Sequence, residues 1–137
     1  MESLPIYPEL LGQSVLITGS SSGIGAGLAS AFAAQGCHIV VNYPDSATQS
    51  AADNIVNAIT ENGGKAIAIQ ADVSRSDEVA TMMDATLSEF GKLDILVNNA
   101  GMNISKPALD TTPEEFNQVL TTNLDAPFFL ATEFARP

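Results

Sequence analysis

The chain has few basic residues with which to hold an anion by charge, and only one histidine and one cysteine. Five Lys and Arg stand against sixteen Asp and Glu, and the net charge is −11. A protein that grips nucleic acid through its phosphates needs clustered Lys and Arg, and here they are few and scattered, so no nucleic-acid partner is expected. Cys37 is the single cysteine, which excludes an internal disulfide and fits a reducing, cytoplasmic setting. Its expected place is a small buried hydrophobe at the entry to a strand. His38 is the single histidine and has no catalytic partner in view. No cluster of His, Cys and carboxylates suggests a metal site. No apolar run is long enough to span a bilayer, so no membrane role is expected. Met1-Glu2-Ser3-Leu4-Pro5 has no basic stretch ahead of an apolar one, which argues against a secretory signal.

What is present is a core. Hydrophobic residues make up 45% of the 137 and charged residues 15%, enough for one globular domain. Residues 1–12, with Pro5 and Pro8, read as an extended lead-in, and residues 13–137 read as one partial domain. Strand-like and helix-like segments then alternate. Val15-Leu16-Ile17-Thr18 is a β-branched apolar strand of the kind covered on both faces. A helix follows over about Gly23 to Gln35, with Ile24, Leu28, Ala31 and Phe32 as its stripe and Gly36 as its stop. Ile39-Val40-Val41 is the second strand. The next helix starts near Ala47, with a capping box from Ser46 to Gln49 and a face of Ala47, Ala51, Ile55, Ala58 and Ile59. The third strand is Ala66 to Ile69. Ser74 is expected to cap a helix striped by Val79, Met83, Leu87 and Phe90, and Leu93 to Val97 is the fourth strand. Thr112-Pro113-Glu114-Glu115 opens the last helix with a capping box, and Phe116, Val119, Leu120 and Leu124 are expected on its buried face. Such alternation implies right-handed crossovers and an α/β fold. The expectation is a Rossmann-type parallel sheet of about four strands in the order 3-2-1-4, with flanking helices.

The turn between the first strand and its helix reads Thr18-Gly19-Ser20-Ser21-Ser22-Gly23-Ile24-Gly25. Glycines allow a tight bend and let a pyrophosphate approach without meeting a Cβ, and the helix start points free N–H groups at it. A glycine-rich turn kept only for packing is the plain alternative. No Lys follows the last glycine, so this is not a nucleoside-triphosphate loop. From the turn alone, a methyltransferase-type nucleotide fold stays open.

The fourth strand runs into Asn98-Asn99-Ala100-Gly101. Together with the glycine turn, Asp72-Val73 after the third strand and Asn123 in the last helix, these motifs resemble the short-chain dehydrogenase/reductase family, from about Gly12 onward. The methyltransferase alternative fails mainly on Asn98 to Gly101. Within the family, Leu10 to Gly25 and Val41-Asn42-Tyr43 are similar to ketoacyl-reductase, glucose-dehydrogenase and hydroxynaphthalene-reductase members. The resemblance implies hydride transfer between NAD(P)H and a small carbonyl or alcohol. It implies cofactor contacts from Gly19, Ser21, Ser22, Gly23, Ile24 and Gly25. Asp72 would accept a hydrogen bond from the adenine amino group, with Val73 beside it. Asn99, Ala100 and Gly101 would approach the cofactor's ribose, and Asn98 would tie the central strands.

Cofactor choice is set where the second strand ends. An acid there would bind the ribose hydroxyls of NAD, and Tyr43 stands in that place. Asn42, Tyr43 and Ser46 would hydrogen-bond a 2′-phosphate, while Asp45 argues the other way, so NADP is favoured slightly over NAD. Asn123 lies on the apolar stripe, where a buried amide needs partners. Pro127, four residues on, has no N–H, so the Asn123 carbonyl is released if the helix continues through it. In the family the matching Asn belongs to a catalytic tetrad and helps hold a water. A simple proline kink with Asn123 turned to solvent is the alternative.

The rest of that tetrad is not in these residues. The family's chemistry uses a Ser and a Tyr and Lys separated by three residues, yet Leu11 and Ala47 stand four after Tyr7 and Tyr43. The resemblance therefore implies a truncated and inactive chain. Its fourth strand and last helix would be left uncovered and inclined to self-associate or to pair with a longer relative. A non-catalytic dinucleotide-binding or interaction protein is the alternative.

Overall fold

A computed structural model describes residues 5–136. The part of the lead-in over Met1 to Leu4, and Pro137, lie outside the described residues. Four strands, β1 (Ser14–Ile17), β2 (His38–Tyr43), β3 (Lys65–Gln70) and β4 (Ile95–Val97), form one parallel sheet in the order β3-β2-β1-β4. Five helices connect or follow them: α1 (Gly23–Ala34), α2 (Gln49–Glu61), α3 (Ser76–Phe90), α4 (Pro113–Leu120) and α5 (Ala126–Phe134). The expected sheet order is the observed one. Pro8–Leu10 makes a short 3-10 turn, and Gln35 at the end of α1 ties down Pro5 and Tyr7.

Side chains alternate across a strand, so one continuous apolar run feeds two cores. Val15, Ile17, Ile39 and Val41 point to one face and pack against Ala29 of α1 and Ala52 and Ile59 of α2. Leu16 and Val40 point to the other and pack against Val79 and Met82 of α3 and Ala126 and Leu130 of α5. Each fully buried Leu, Ile or Val contributes about 1.5–3 kcal/mol. β1 and β2 are therefore the central, dry strands, and their carboxyl ends are rigidly placed.

Several helix faces differ from expectation. Ile24 is 78% exposed, and Ala31 is exposed too. In α1 the small residues Gly25 and Ala29 face the sheet instead, because they let the helix sit close to it. Ala47, expected on the second helix, lies exposed in the 3-10 turn Ser46–Thr48 before it, and on α2 Ala58 is exposed and Ala52 is buried. On α3 Leu87 is exposed, while Met82 and Thr86 are buried. Asp45, not Ser46, caps the turn before α2, its side chain accepting from the Thr48 N–H. Ser74 does not cap α3; its hydroxyl and N–H both bond the Asp72 carboxylate in an Asx turn. The capping box at Thr112 and Glu115 is present. Phe116, Leu120 and Leu124 are exposed, contrary to expectation.

The last helical segment is continuous from α4 to α5 through a π turn at Thr121–Asp125. Pro127 explains it: without an N–H it cannot bond the Asn123 carbonyl, and the chain widens to accommodate the loss. No helix among the described residues is long and apolar enough to cross a membrane.

Candidate functional site

The glycine turn is fixed from below by buried polar side chains. Gly19 has φ 60°, and a Cβ there would lie 2.9 Å from the Ala100 Cα. Ser20 donates its hydroxyl proton to the Ile17 carbonyl at 2.7 Å and accepts from the Asn42 N–H at 3.1 Å. Asn42 is 1% exposed. Its Oδ1 accepts from the Gly19 N–H at 3.0 Å, and its Nδ2 donates to the carbonyls of Ala71 at 3.0 Å and Ile69 at 3.3 Å. One amide thus joins the ends of β1, β2 and β3. Its hydrogen-bonding atoms are engaged in the fold, so the 2′-phosphate contact expected of its side chain has no free donor.

Thr18 and Asn99 fix the other side. The Thr18 hydroxyl oxygen accepts from the N–H groups of Asn99 at 3.0 Å and Ala100 at 2.9 Å. Asn99 Nδ2 donates back to the carbonyls of Thr18 at 2.8 Å and Gly19 at 3.1 Å. Asn99, rather than Asn98, ties the central strands; Asn98 reaches the Pro127 carbonyl at 3.4 Å. Gly25 completes the join, since a Cβ on it would stand 2.6 Å from Asn99 Nδ2 and 2.7 Å from the Gly19 carbonyl oxygen.

Above this frame the N-terminus of α1 is uncapped. Ser22 is the N-cap residue but makes no side-chain cap bond. The N–H groups of Ser21, Ser22, Gly23, Ile24 and Gly25 find no acceptor among the described residues. Five such donors beside the positive end of a helix form an anion cradle. Ser21 and Ser22, the first residues of this cradle, line a cleft of about 700 Å³ beyond the carboxyl ends of the strands.

The cleft gathers most of the residues singled out from the sequence. Gly19, Ser21, Ser22 and Asn42 line it at the ends of β1 and β2, flanked by Asp72 and Val73 beyond β3 and by Asn99, Ala100 and Gly101 beyond β4. Gly23, Ile24 and Gly25 form the first turn of α1 behind that wall. Tyr43 does not reach the cleft lining; it is 6% exposed and packs in the core with Ile59 and Val41. Ser46 is exposed and also outside the lining. Asn123 is solvent-exposed, yet its amide is not idle: it bonds both backbone groups of Met102, which lines the cleft. Sequence reasoning missed Thr18, Ser20 and Met102 as frame residues, and Pro44 and Thr48 as lining. The Thr immediately before the glycine turn was the available signal.

Titration shifts lie away from the cleft. Burial pushes the Cys37 thiol up, and Asp94 adds to it. Burial, then Lys65 and Lys92, holds His38 below the usual imidazole value, at the end of β2 opposite the cleft. Burial alone would raise Asp94, but Lys92 and Ser14 outweigh it and hold the carboxyl below the usual range. Among the described residues no group of three or more His, Cys, Asp and Glu is placed to hold a metal ion.

A four-stranded parallel sheet in this order, with a glycine turn feeding a helix at the point where strand order reverses, defines a Rossmann-type nucleotide-binding fold. The family model for short chain dehydrogenases matches residues 13–137, and the chain belongs to that family. It is similar to 3beta-hydroxysteroid dehydrogenase 1 of Eggerthella lenta, at 42% identity over 123 residues, which are 90% of this chain and 46% of that protein. A short chain dehydrogenase from Burkholderia cenocepacia, solved in complex with NADP, superposes with a TM-score of 0.87 at 38% identity, covering 93% of this chain and 51% of that one. A 3-ketoacyl-(acyl-carrier-protein) reductase from Brucella melitensis, complexed with NADH, gives 0.83 at 35% identity, covering 92% and 50%. The chain spans about half the length of the curated relatives it matches.

Proposed function

We propose that the cleft holds a nicotinamide dinucleotide, and that these residues are the cofactor-binding part of an NAD(P)-dependent oxidoreductase. The observation that carries this is the row of unpartnered N–H groups from Ser21 to Gly25 at the start of α1. A pyrophosphate would take those donors. Asp72 and Val73 would flank the adenine, and Asn99, Ala100 and Gly101 the nicotinamide ribose. Bound there, the nicotinamide supplies the hydride carrier between a carbonyl and an alcohol. Asn123 would hold the Met102 segment at the cleft floor and, through its freed carbonyl, help place a water. The chain has no Tyr followed four residues later by Lys, so the reading is cofactor binding without turnover by these residues. Calorimetric titration with NAD+ and NADP+ tests it: saturable binding with one site per chain supports it, and absence of heat with either, in a folded sample, overturns it.

Phe116, Leu120, Leu124 and Phe128 recur every fourth residue along the last helix and are all exposed, Phe116 at 57% and Phe128 at 62%. Among the described residues no strand pairs with the outer edge of β4. We infer that this face pairs with a second copy of the chain, since one apolar stripe is self-complementary about a two-fold axis. Sedimentation of the purified chain should show a dimer that Leu124→Glu converts to monomer. A wild-type monomer at all concentrations, or a complex formed only with a longer protein, would overturn the pairing.

A further inference from the structure

At the other end of the sheet from the cleft, β2 and β3 begin side by side. His38 and Lys65 are register partners in that parallel pair, so the alternation of a strand turns both side chains to one face. It is the face of Val40 and Ile67, over which α3 packs and ends at Phe90. A pocket of about 440 Å³ opens there. His38, Lys65, Glu89 and Phe90 line it, with Thr60 and Gly64 from the end of α2 and the turn after it.

The charges of this pocket are unpaired. Of the five Lys and Arg, Lys65 alone makes no ion pair among the described residues, while Arg75, Lys92, Lys106 and Arg136 each hold a carboxylate. Glu89 makes no ion pair among them either. Opposite charges thus line one pocket without neutralising each other. The rings of His38 and Phe90 form its aromatic part, 5.4 Å apart between centroids and tilted by 46°. Burial, then Lys65 and Lys92, keeps the imidazole neutral at pH 7, with one nitrogen to donate and one to accept. α2 and α3 both end on this side of the sheet, and neither has a basic residue in its last turn. The carbonyl end of a helix favours positive charge, and Glu89, one residue before the end of α3, adds a negative one instead.

We propose that this pocket binds a small aromatic zwitterion, an aromatic α-amino acid. Its carboxylate pairs with Lys65, its ammonium with Glu89 and the carbonyl end of α3, and its ring packs against Phe90. A plain anion would face Glu89 in a chain of net charge −11, with Lys65 alone to hold it. A plain cation would face Lys65. A zwitterion meets both charges with their complements. The pocket is separate from the cleft beside the glycine turn, so its test leaves the dinucleotide reading untouched.

His38 is the only imidazole of the chain, so a single ring-proton signal reports on the pocket. Proton NMR titrations of the whole chain at fixed pH test the proposal with three probes. They are L-phenylalanine, 3-phenylpropionate, which lacks the ammonium, and phenethylamine, which lacks the carboxylate. L-phenylalanine should shift the His38 signal saturably, with a Kd on the order of millimolar. Each of the other two should bind at least about threefold more weakly. Lys65→Gln should weaken L-phenylalanine and leave phenethylamine unchanged. Glu89→Gln should weaken L-phenylalanine and leave 3-phenylpropionate no weaker. Both positions are exposed, so the variants keep the fold, which circular dichroism checks. No saturable shift with L-phenylalanine, an analogue that binds as tightly as it does, or variants that bind it as the unaltered chain does, overturns the proposal.

Discussion

Asn123 and Met102 form a closed two-bond pair: the Asn123 Oδ1 accepts from the Met102 N–H at 2.8 Å, and its Nδ2 donates to the Met102 carbonyl at 2.8 Å. The side chain acts as a third backbone strand for one residue. It joins the π turn to the loop after β4, and so fixes one wall of the cleft to the other. Asn123→Ala should speed hydrogen exchange at the Met102 amide markedly. Because both freed groups reach water, the loss in global stability should be modest, about 0.5–1.5 kcal/mol by urea denaturation. An unchanged Met102 exchange rate would remove the strut from the account.

Asn42 should behave differently, since it is buried. Asn42→Ala leaves the Gly19 N–H and two carbonyls without their partner at a largely buried site. About 1–3 kcal/mol of stability should be lost for the stranded groups. Dinucleotide binding should weaken with it, because the turn that presents the α1 N–H groups loses its anchor. Urea denaturation beside a cofactor titration reads both effects.

Gly25→Ala tests close packing rather than polarity. The added Cβ would meet Asn99 Nδ2 at 2.6 Å and the Gly19 carbonyl oxygen at 2.7 Å, both fixed by other bonds. Overpacking of this kind typically destabilises by about 1–3 kcal/mol. Gly27→Ala, one turn position on with nothing within 4 Å, is the control and should be neutral or slightly stabilising. Thermal melting of the two variants separates them.

Asp94 links the start of β4 to the start of β1, taking the Ser14 N–H at 2.8 Å and Lys92 at 2.8 Å. Its carboxyl titrates below the usual range because Lys92 and Ser14 outweigh burial. A carboxyl depressed by folding contributes stability that is present above its unfolded value, about pH 4, and lost as the pH falls through the lower folded value. Asp94→Asn should therefore be less stable than the unaltered chain at pH 7, and the difference should fade as acid is added below about pH 4. Denaturation midpoints across that range check the sign.

Much of this arrangement is legible in the sequence. β1 and β2 are unbroken apolar runs, the glycine turn sits between strand and helix, and Thr112-Pro113-Glu114-Glu115 announces its own helix. Periodicity failed on α1 because the helix is rich in Gly and Ala. There the residues nearest the sheet are the smallest, Gly25 and Ala29, and the large Ile24 turns outward. The stripe from Phe116 to Leu124 read as core because apolar spacing reports a face to be covered, not what covers it. At the site, the glycines and Asp72, Asn99 and Gly101 were visible as types. The bonds that give Asn42 and Thr18 their roles were not, because each joins segments remote in sequence. Tyr43 was placed at the cofactor by its position at the strand end. The alternation of β2 turns it into the core instead, and leaves the corner to Asp45.

The central claim is that the uncapped start of α1 binds the pyrophosphate of a nicotinamide dinucleotide. Backbone amide shifts of the 15N-labelled chain, followed during titration with NADH, test it most directly. The account predicts saturable shifts largest at Ser21, Ser22, Gly23, Ile24 and Gly25, with further shifts at Asp72 and at Asn99 to Gly101. Shifts confined to other surfaces, or none at saturating nucleotide in a folded sample, would contradict it.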